Sequence, residues 1–288
     1  MPLRILLSAL PGPRCPPGAG FVFCGTQETT MPQQPIAVLK FGSSVLRAAT
    51  DYPAAVAEIQ WHRERGNSVV AVVSALGDDT DNLLARANEV AATHDEALLA
   101  ELLACGEHQS SILMTLALQQ AGQVAHRMDA RSAGLLTRGT PMNARPHSLA
   151  APAIHAKLAS GTVVIPGFTG IDASGRTTLL GRGGSDMTAL FVAQRLRARR
   201  CRLIKDVDGI FSSDPAVTAG LPPRFRQICW ADAERIGGRL VQARAVRFAA
   251  ERGYAFEVAA LGSAGGTLVC AGPNRLYRSA AIRKVAVG

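Results

Sequence analysis

The feature that most constrains the fold is a series of short apolar runs that end in turns and alternate with helical patterns. The clearest runs are PIAVLKFGSS from residue 35, NSVVAVVSALG from 67, GTVVIPGFTG from 161 and RCRLIKDV from 200. Strands that are apolar along their whole length are typical of a parallel sheet covered by helices on both faces. The pattern therefore predicts an α/β protein.

Helical periodicity connects these runs. It predicts helices over 51–66, with Asp51 as a possible cap, from Asp79 onward, over 95–122 with an interruption near Gly106, over 189–198, and over 232–253 with an interruption at the Gly-Gly pair. The last clear strands are AFEVAAL and GTLVCAG, and 130–150 is expected to hold loops and small strands. No linker is evident within 35–271, so we predict one domain over 35–272.

Charge and cysteine content narrow the functional classes. The net charge is +9, and the densest basic patch is the arginine-rich segment 195–202. Such a patch fits either nucleic-acid contact or a solvated helix end, and the lack of interleaved aromatic residues disfavours binding of single strands. The six cysteines form no C-x-x-C pair, which indicates free thiols in a cytoplasmic protein. No apolar run reaches the ~18 residues that a membrane span needs.

The first 34 residues differ from the rest, because they are rich in proline and have no amphipathic period. A short apolar run, ILLSAL, resembles a weak secretory signal, but prolines follow it at once. We expect a disordered tail. Met31 lies just before the first strand, which leaves open the alternative that translation begins there.

Candidate ligand-binding residues lie where the predicted strands end, and ligands of parallel sheets bind beyond the carboxyl ends of the strands. In VLKFGSS, Lys40 precedes a turn formed by Gly42, Ser43 and Ser44. A lysine and turn amides suit phosphate oxygens, although a strand-end lysine is also compatible with a structural role. In VVSALGDDTD, Ser74 and Thr80 suit an anion or substrate, or Thr80 caps a helix.

One acidic residue stands inside an apolar helical pattern. Glu107 follows Gly106 in ACGEHQSS, and a carboxylate in such surroundings can bind an ammonium group. The neighbouring His108 fits an ordinary structural histidine better than a ligand.

The segment LLGRGGSDMTA combines several phosphate- and carboxylate-binding features. Gly183 and Gly184 permit a close approach of the backbone, and Ser185 and Asp186 open a helix whose N-terminal amides favour anions. Arg182 offers a guanidinium fork for a carboxylate or phosphate. Asp186 is interpreted either as a functional carboxylate or as a simple N-cap.

The segment LIKDVDGIFSSDP ends another strand with Lys205, Asp206, Asp208 and Gly209. The spacing does not match an EF-hand calcium loop, because no closing Glu follows. We therefore expect a glycine-containing turn that contacts a nucleotide.

Taken in order, these segments resemble the amino acid kinase family, and within it the aspartokinases. The strings that carry the resemblance are VLKFGSSVL, VVSALGDDTD, CGEHQSS, PGFTG, TTLLGRGGSD, KDVDGIFSSDP and GGTLV, which together extend over about 35–272. The resemblance implies a three-layer α/β/α fold with an open, mostly parallel sheet. It also implies phosphoryl transfer from ATP, with Mg²⁺, to the side-chain carboxylate of L-aspartate, the first step towards lysine, threonine and methionine.

The resemblance also implies roles for individual residues. Lys40 would neutralise charge on the transferred phosphoryl group, and Asp186 would orient Lys40. Glu107 would hold the substrate ammonium and Arg182 the α-carboxylate. The remaining expected contacts are Ser74, Thr80 and Ser185 for the substrate, and Gly42, Ser43, Ser44, Gly183, Gly184, Lys205, Asp206, Asp208, Gly209 and Arg239 for the nucleotide.

Some positions depart from the family pattern. Ser43 and Asp78 stand where the family has glycine, Arg239 stands for a lysine, and Ala216 for an arginine. These departures leave two alternatives to an active aspartate kinase. One is a degenerate domain that binds nucleotide or a partner, and the other is a kinase of this fold with a different small carboxylate substrate.

The resemblance carries expectations about partners as well. Relatives often form homodimers, and aspartokinases carry C-terminal ACT domains, for which the 16 residues after Gly272 leave no room. The segment IRKVAVG, within the predicted tail 273–288, resembles the start of a further strand. We hypothesise that the chain is the kinase half of a fusion with a homoserine dehydrogenase domain or subunit.

Overall fold

The computed structural model describes residues 34–213, 218, 222–238 and 240–277. Its seven α-helices within those residues connect the strands of two sheets. They are α1 Tyr52–Glu64, α2 Asp79–Val90, α3 Glu96–Gln120, α4 Ala151–Leu158, α5 Gly184–Arg195, α6 Trp230–Ile236 and α7 Ala243–Glu251. A short 3-10 turn at Ala49–Asp51 precedes α1. None of the helices in the described part of the chain is long and apolar enough to cross a membrane.

The larger sheet is mostly parallel and has nine strands, which come from the N-terminal and the C-terminal parts of the described chain. They are β1 Ile36–Phe41, β2 Ser68–Val73, β3 Ala125–Arg127, β6 Thr162–Pro166, β9 Arg200–Lys205, β10 Phe225–Cys229, β11 Phe256–Ala260, β12 Thr267–Cys270 and β13 Arg275–Leu276. Their order across the sheet is β13-β10-β12-β11-β9-β1-β2-β6-β3. The β11–β12 and β10–β13 pairs are antiparallel and the other pairs are parallel. The predicted fold class is confirmed.

A second sheet has four strands, all from the segment 136–179. It consists of β4 Leu136–Thr140, β5 Asn143–Ser148, β7 Thr169–Ile171 and β8 Thr177–Leu179, in the order β5-β4-β7-β8. The β4–β5 hairpin accounts for the small strands expected over 130–150. The apolar run GTVVIPGFTG is divided between the two sheets, because β6 ends at Pro166 and β7 begins at Thr169.

The centre of the large sheet is the most buried part of the molecule. Every residue of β1 is buried, as are all but the first residues of β2 and β9. One apolar cluster packs α4, α5 and α7 against the sheet, and a second packs α1 and α3 against it. Burial of this kind stabilises a fold by ~25 cal/mol per Å² of apolar surface, which explains why these strands read as continuous apolar runs.

Two details of the helices differ from the expectations. Helix α3 continues without a break through Gly106, because this position packs against the turn that follows β2. A β-carbon on Gly106 would lie 3.0 Å from Cβ of Ala75. Asp51 occupies the N-cap position of α1, but its carboxylate accepts hydrogen bonds from the amides of Arg47 and Ala48 and caps no α1 amide.

Candidate active site

A carboxylate held between two ammonium groups lies at the carboxyl edge of the large sheet. Lys40 Nζ lies 2.8 Å from Asp186 Oδ1, and Lys205 Nζ lies 2.9 Å from Asp186 Oδ2. Strands β1 and β9 are adjacent and parallel, so the lysines near their ends project at the same edge. Helix α5 begins at this edge and supplies Asp186 from its first turn.

All three side chains of this group are buried, with at most 8% of any residue exposed. Burial by itself raises the pKa of Asp186, but the charges of Lys205 and Lys40 outweigh it and hold the pKa at about 2. Burial, together with the charge of Lys40, lowers the pKa of Lys205. Asp186 is therefore ionised at neutral pH and lies between two ammonium groups, in surroundings where electrostatic interactions are strong.

Glycine residues make the close backbone approach possible at this site. Gly183 is the N-cap of α5 with φ +76°, and a β-carbon there would lie 2.5 Å from Cβ of Gln242. Because Gly183 occupies the cap, the alternative in which Asp186 is a simple N-cap is wrong. A β-carbon on Gly42 would lie 2.9 Å from Lys40 Nζ, so glycine there leaves the ammonium group room.

A second buried carboxylate faces the same edge from α3. Glu107 is 3% exposed, and its Oε2 has no hydrogen-bond partner among the described residues. Burial raises its pKa to about 8, although the amide of Ala75 and the charge of Lys40 act in the opposite direction. A buried polar atom without a partner is costly, and it is a natural receptor for a ligand cation.

The other predicted substrate residues lie after β2, in the first turns of α2 and α5, and just before α5. Ser74 is buried at the end of β2, and Thr80 is half-buried in the first turn of α2. Ser185 is half-buried, and its Cβ would lie 2.7 Å from a β-carbon on Gly167. Arg182 is exposed, so its guanidinium is available to a ligand.

The structure divides the predicted nucleotide segment 205–209 into two parts. Lys205 joins Asp186, whereas Asp208 is engaged by Arg224 Nη1 and by Ser263, whose Oγ donates a 2.5 Å hydrogen bond to Oδ1. Gly209 has φ +131°, and a β-carbon there would lie 2.5 Å from Oγ1 of Thr267. Asp206 is exposed. Asp208 therefore shapes the turn and does not present a free carboxylate.

The turn after β1, predicted to bind phosphate, leaves its hydroxyl groups in solvent. Ser43 and Ser44 are exposed, and the carbonyl of Gly42 accepts hydrogen bonds from the amides of Val45 and Leu46. The remaining nucleotide candidate, Arg239, lies outside the described residues. Asp78, which departs from the family pattern, is also exposed.

Sequence reasoning missed several residues that support the site. Phe168 has φ +63°, and its amide donates a 3.0 Å hydrogen bond to Oγ1 of Thr188, two residues beyond Asp186. Thr267 belongs to the GGTLV string, and its Oγ1 accepts a 2.8 Å hydrogen bond from the amide of Ile210 that no sequence pattern indicates. A positive φ at phenylalanine leaves no mark in composition or periodicity, so nothing in the sequence could have indicated it.

In the part of the chain that the structure describes, no three side chains of His, Cys, Asp or Glu are grouped as a metal centre would require. The candidate site combines the ammonium groups of Lys40 and Lys205, the amides at the start of α5, and the carboxylates of Asp186 and Glu107. Such a set suits anionic ligands.

Comparison with known proteins agrees with this chemistry. The model of the amino acid kinase family matches residues 35–254. The chain is 38% identical over 184 residues to an aspartokinase of Mycobacterium bovis. This alignment covers 63% of this chain and 44% of the relative. It is 33% identical over 225 residues to an aspartokinase of a Bacillus species, strain MGA3, covering 77% of this chain and 54% of the relative.

A solved structure shares the fold. Aspartokinase III of E. coli, in complex with aspartate and ADP in the R-state, superposes with a TM-score of 0.72 at 25% identity, covering 82% of this chain and 64% of that one. The chain spans about half the length of the curated relatives that it matches. On the family model and the shared fold, this chain belongs to the amino acid kinase family.

Proposed function

We propose that this chain is an aspartate kinase, which transfers the γ-phosphoryl group of ATP to the side-chain carboxylate of L-aspartate and forms 4-phospho-L-aspartate. The observation that carries the proposal is the Lys40–Asp186–Lys205 group together with the buried carboxylate of Glu107, whose Oε2 has no described partner. Support also comes from the aspartokinase relatives and from the E. coli structure, whose ligands are aspartate and ADP.

The transfer needs positioning and charge neutralisation more than proton movement. A carboxylate oxygen of the substrate attacks the γ-phosphorus, and the bond between that phosphorus and the bridging oxygen of the β-phosphate breaks, which leaves ADP. The attacking carboxylate is already ionised, so no general base is needed. We assign Lys40 and Lys205 to the negative charge that spreads over the phosphoryl oxygens in the transition state.

Asp186 acts through the lysines, so we regard it as a positioning residue. With oxygens 2.8 and 2.9 Å from the two ammonium groups, it fixes the direction in which both point. It also offsets the repulsion that two buried cations would otherwise exert on each other.

Recognition of an α-amino acid follows from the charges that surround this group. We assign Glu107 to the ammonium of L-aspartate and Arg182 to its α-carboxylate, with Ser74, Thr80 and Ser185 as hydroxyl contacts. An ammonium ligand lowers the pKa of Glu107 from about 8, because the charged form of the carboxylate then has a partner.

The residues present fit the phosphates of a nucleotide. The amides at the start of α5, preceded by Gly183, and the ammonium groups are donors suited to phosphate oxygens. We assign Gly42, Ser43, Ser44, Gly184 and the 206–209 turn to the same ligand. Mg²⁺, when bound with the nucleotide, would neutralise phosphate charge while held through phosphate oxygens and water.

We also propose a cytoplasmic location and a homodimer. The described cysteines Cys105, Cys201, Cys229 and Cys270 are all unpaired, which suits a reducing compartment. Apolar residues Leu98, Ile112 and Leu116 are exposed on one face of α3, which suits an interface between subunits. The homoserine dehydrogenase partner remains a prediction from the sequence.

The test is ATP-dependent formation of an acyl phosphate on L-aspartate, trapped as the hydroxamate, with the whole chain and Mg²⁺. We expect turnover that Lys40→Ala and Asp186→Asn abolish while the fold, followed by circular dichroism, persists. Glu107→Gln should raise the KM for aspartate at least tenfold, whereas Glu101→Gln, an exposed glutamate on the same helix, should leave it unchanged.

Two outcomes would contradict the proposal. A folded sample that binds ATP but makes no hydroxamate would indicate a degenerate domain. Turnover with another small carboxylate, faster than with aspartate, would assign the site to a different kinase of this family.

A further inference from the structure

A basic cavity lies between the β4–β5 hairpin and helix α7, with Met187 of α5 in its lining. It has a volume of about 380 Å³, and four arginines line it: Arg145, Arg244, Arg247 and Arg252. Met187 and Phe248, both buried, form its apolar floor. We call it the arginine cavity.

Positive charge in the arginine cavity exceeds the negative charge available to balance it. Glu251 is the one acidic side chain among its described lining residues, and Glu234 lies 3.3 Å from Arg247. Arg145 stands directly opposite Arg138 in the β4–β5 pairing. Like charges opposite each other across strands are destabilising, and no described acidic residue forms an ion pair with either arginine.

One wall of the cavity is held in place by the backbone. Arg244 Nη1 donates 2.6 Å hydrogen bonds to the carbonyl of Leu180 and to Oδ1 of Asn143, and Nη2 donates to the carbonyl of Ala144 at 2.8 Å. Burial and the nearby charge of Arg145 lower the pKa of Arg244. The guanidinium is therefore fixed beside a second cation before any ligand arrives, so an anion placed there would find preorganised charge.

From this arrangement we propose that the arginine cavity binds a small phosphate-bearing anion, with a diphosphate or triphosphate group as the recognised part. Its volume falls within the range of small-molecule sites, about 300–1,000 Å³. Guanidinium forks match phosphate oxygens in pairs. Charge density is the feature that four arginines above an apolar floor can recognise, because the lining offers few hydrogen-bond acceptors to read a base or sugar.

The cavity adjoins the loop that carries the candidate substrate residue Arg182. A β-carbon on Gly181 would lie 2.9 Å from Arg244 Nη1, and Met187 in the floor follows Asp186 directly. Arg244 thus joins the cavity to the backbone that leads into the 181–184 loop. The binding itself does not depend on the proposed kinase activity.

The test measures inorganic pyrophosphate binding to the whole chain by isothermal titration calorimetry at a fixed salt concentration. The cavity variant is Arg145→Gln with Arg252→Gln, because both side chains are exposed and neither has a hydrogen bond in the described residues. The matched control is Arg200→Gln with Arg226→Gln, which removes the same charge from a separate basic cavity. Lys40→Met removes one ammonium group from the candidate active site.

We expect the cavity variant to bind pyrophosphate at least tenfold more weakly than the parent, with an unchanged melting temperature. The control pair and Lys40→Met should retain this binding event. Equal weakening in the control pair would mean that net charge alone attracts the anion, and would overturn the proposal. Pyrophosphate binding that only Lys40→Met removes would also overturn the proposal, because it would assign the anion to the candidate active site. A cavity variant that loses affinity for a mixed-sequence oligonucleotide but not for pyrophosphate would overturn it as well.

Discussion

Replacing Glu107 with glutamine should remove a dependence of stability on pH that the buried carboxylate imposes. Burial raises the pKa of Glu107 from its ordinary value of 4.5 to about 8 in the folded protein. In the unfolded chain the carboxyl is solvated and titrates near its ordinary value. Between these two values, the folded state therefore holds one proton more than the unfolded state.

The sign follows from this difference in bound protons. Stability rises with pH where the unfolded state binds more protons, and here the folded state binds more, so stability falls as the pH rises. The slope is about 1.4 kcal/mol per pH unit. Over the interval from 4.5 to about 8, the total loss is on the order of 5 kcal/mol. Glutamine carries no charge, so E107Q should escape this loss.

The assay is urea unfolding at pH 5, 6, 7 and 8 for the parent, Glu107→Gln and Glu101→Gln. The free energy of unfolding of Glu107→Gln should gain on that of the parent by several kcal/mol between pH 5 and 8. The exposed Glu101 provides the control, whose difference from the parent should stay constant. A constant difference for Glu107→Gln as well would refute the claim that Glu107 is protonated in the folded protein.

Three further predictions concern the same site. Binding of L-aspartate at pH 7 should release protons as Glu107 ionises, so the calorimetric enthalpy should vary with the ionisation enthalpy of the buffer; a buffer-independent enthalpy would contradict this. Asp186→Asn should destabilise the fold by roughly 3–5 kcal/mol at pH 7, because two buried ammonium groups lose their partner. Urea unfolding measures this loss, and a clearly smaller value would contradict the prediction. In the parent, the lowering of the pKa of Asp186 from 3.8 to about 2 contributes about 2 kcal/mol to the free energy of unfolding. This contribution should be present above pH 4 and disappear as the pH falls towards 2. Gly183→Ala should cost ~2 kcal/mol or more, since its φ is +76° and Cβ of Gln242 would lie 2.5 Å away; Gln242→Gly in the same chain should restore part of the loss, and no restoration would exclude the clash as the cause.

Local patterns in the sequence predicted the helices and strands of the fold and the strand ends at which the candidate site lies. Lys40 and Asp186 could be selected because each follows or precedes a glycine turn next to an apolar run. The same reasoning placed an interruption at Gly106, because glycine is usually a poor helix former. It failed there since glycine in α3 serves close packing against Ala75, which is a tertiary property.

Pairs that join distant parts of the chain could not be foreseen. Arg202, almost fully buried, donates a 2.8 Å hydrogen bond from Nη1 to Glu58, 144 residues away, and one from Nη2 to the carbonyl of Ser263. Ser263 in turn holds Asp208. Periodicity reports on neighbours in the chain, whereas these partners are determined by the register of β9 and by the packing of α1. The contacts that hold Asp208 could therefore not be predicted from the sequence, and its role towards a nucleotide stays a prediction.

The position of β1 in the middle of the sheet has a consequence for how the chain is made. Strand β1 lies between β2 and β9, yet β9 is synthesised about 160 residues after β1. At a translation rate of ~5–20 residues per second, one edge of β1 waits roughly 10–30 s for its partner. During that time Lys40 also lacks both Asp186 and the lysine of β9. We expect chaperones at the ribosome to bind a nascent chain with an open apolar edge and an unpaired cation. The Lys40–Asp186–Lys205 group forms only late in folding, after β9 has been added to the sheet.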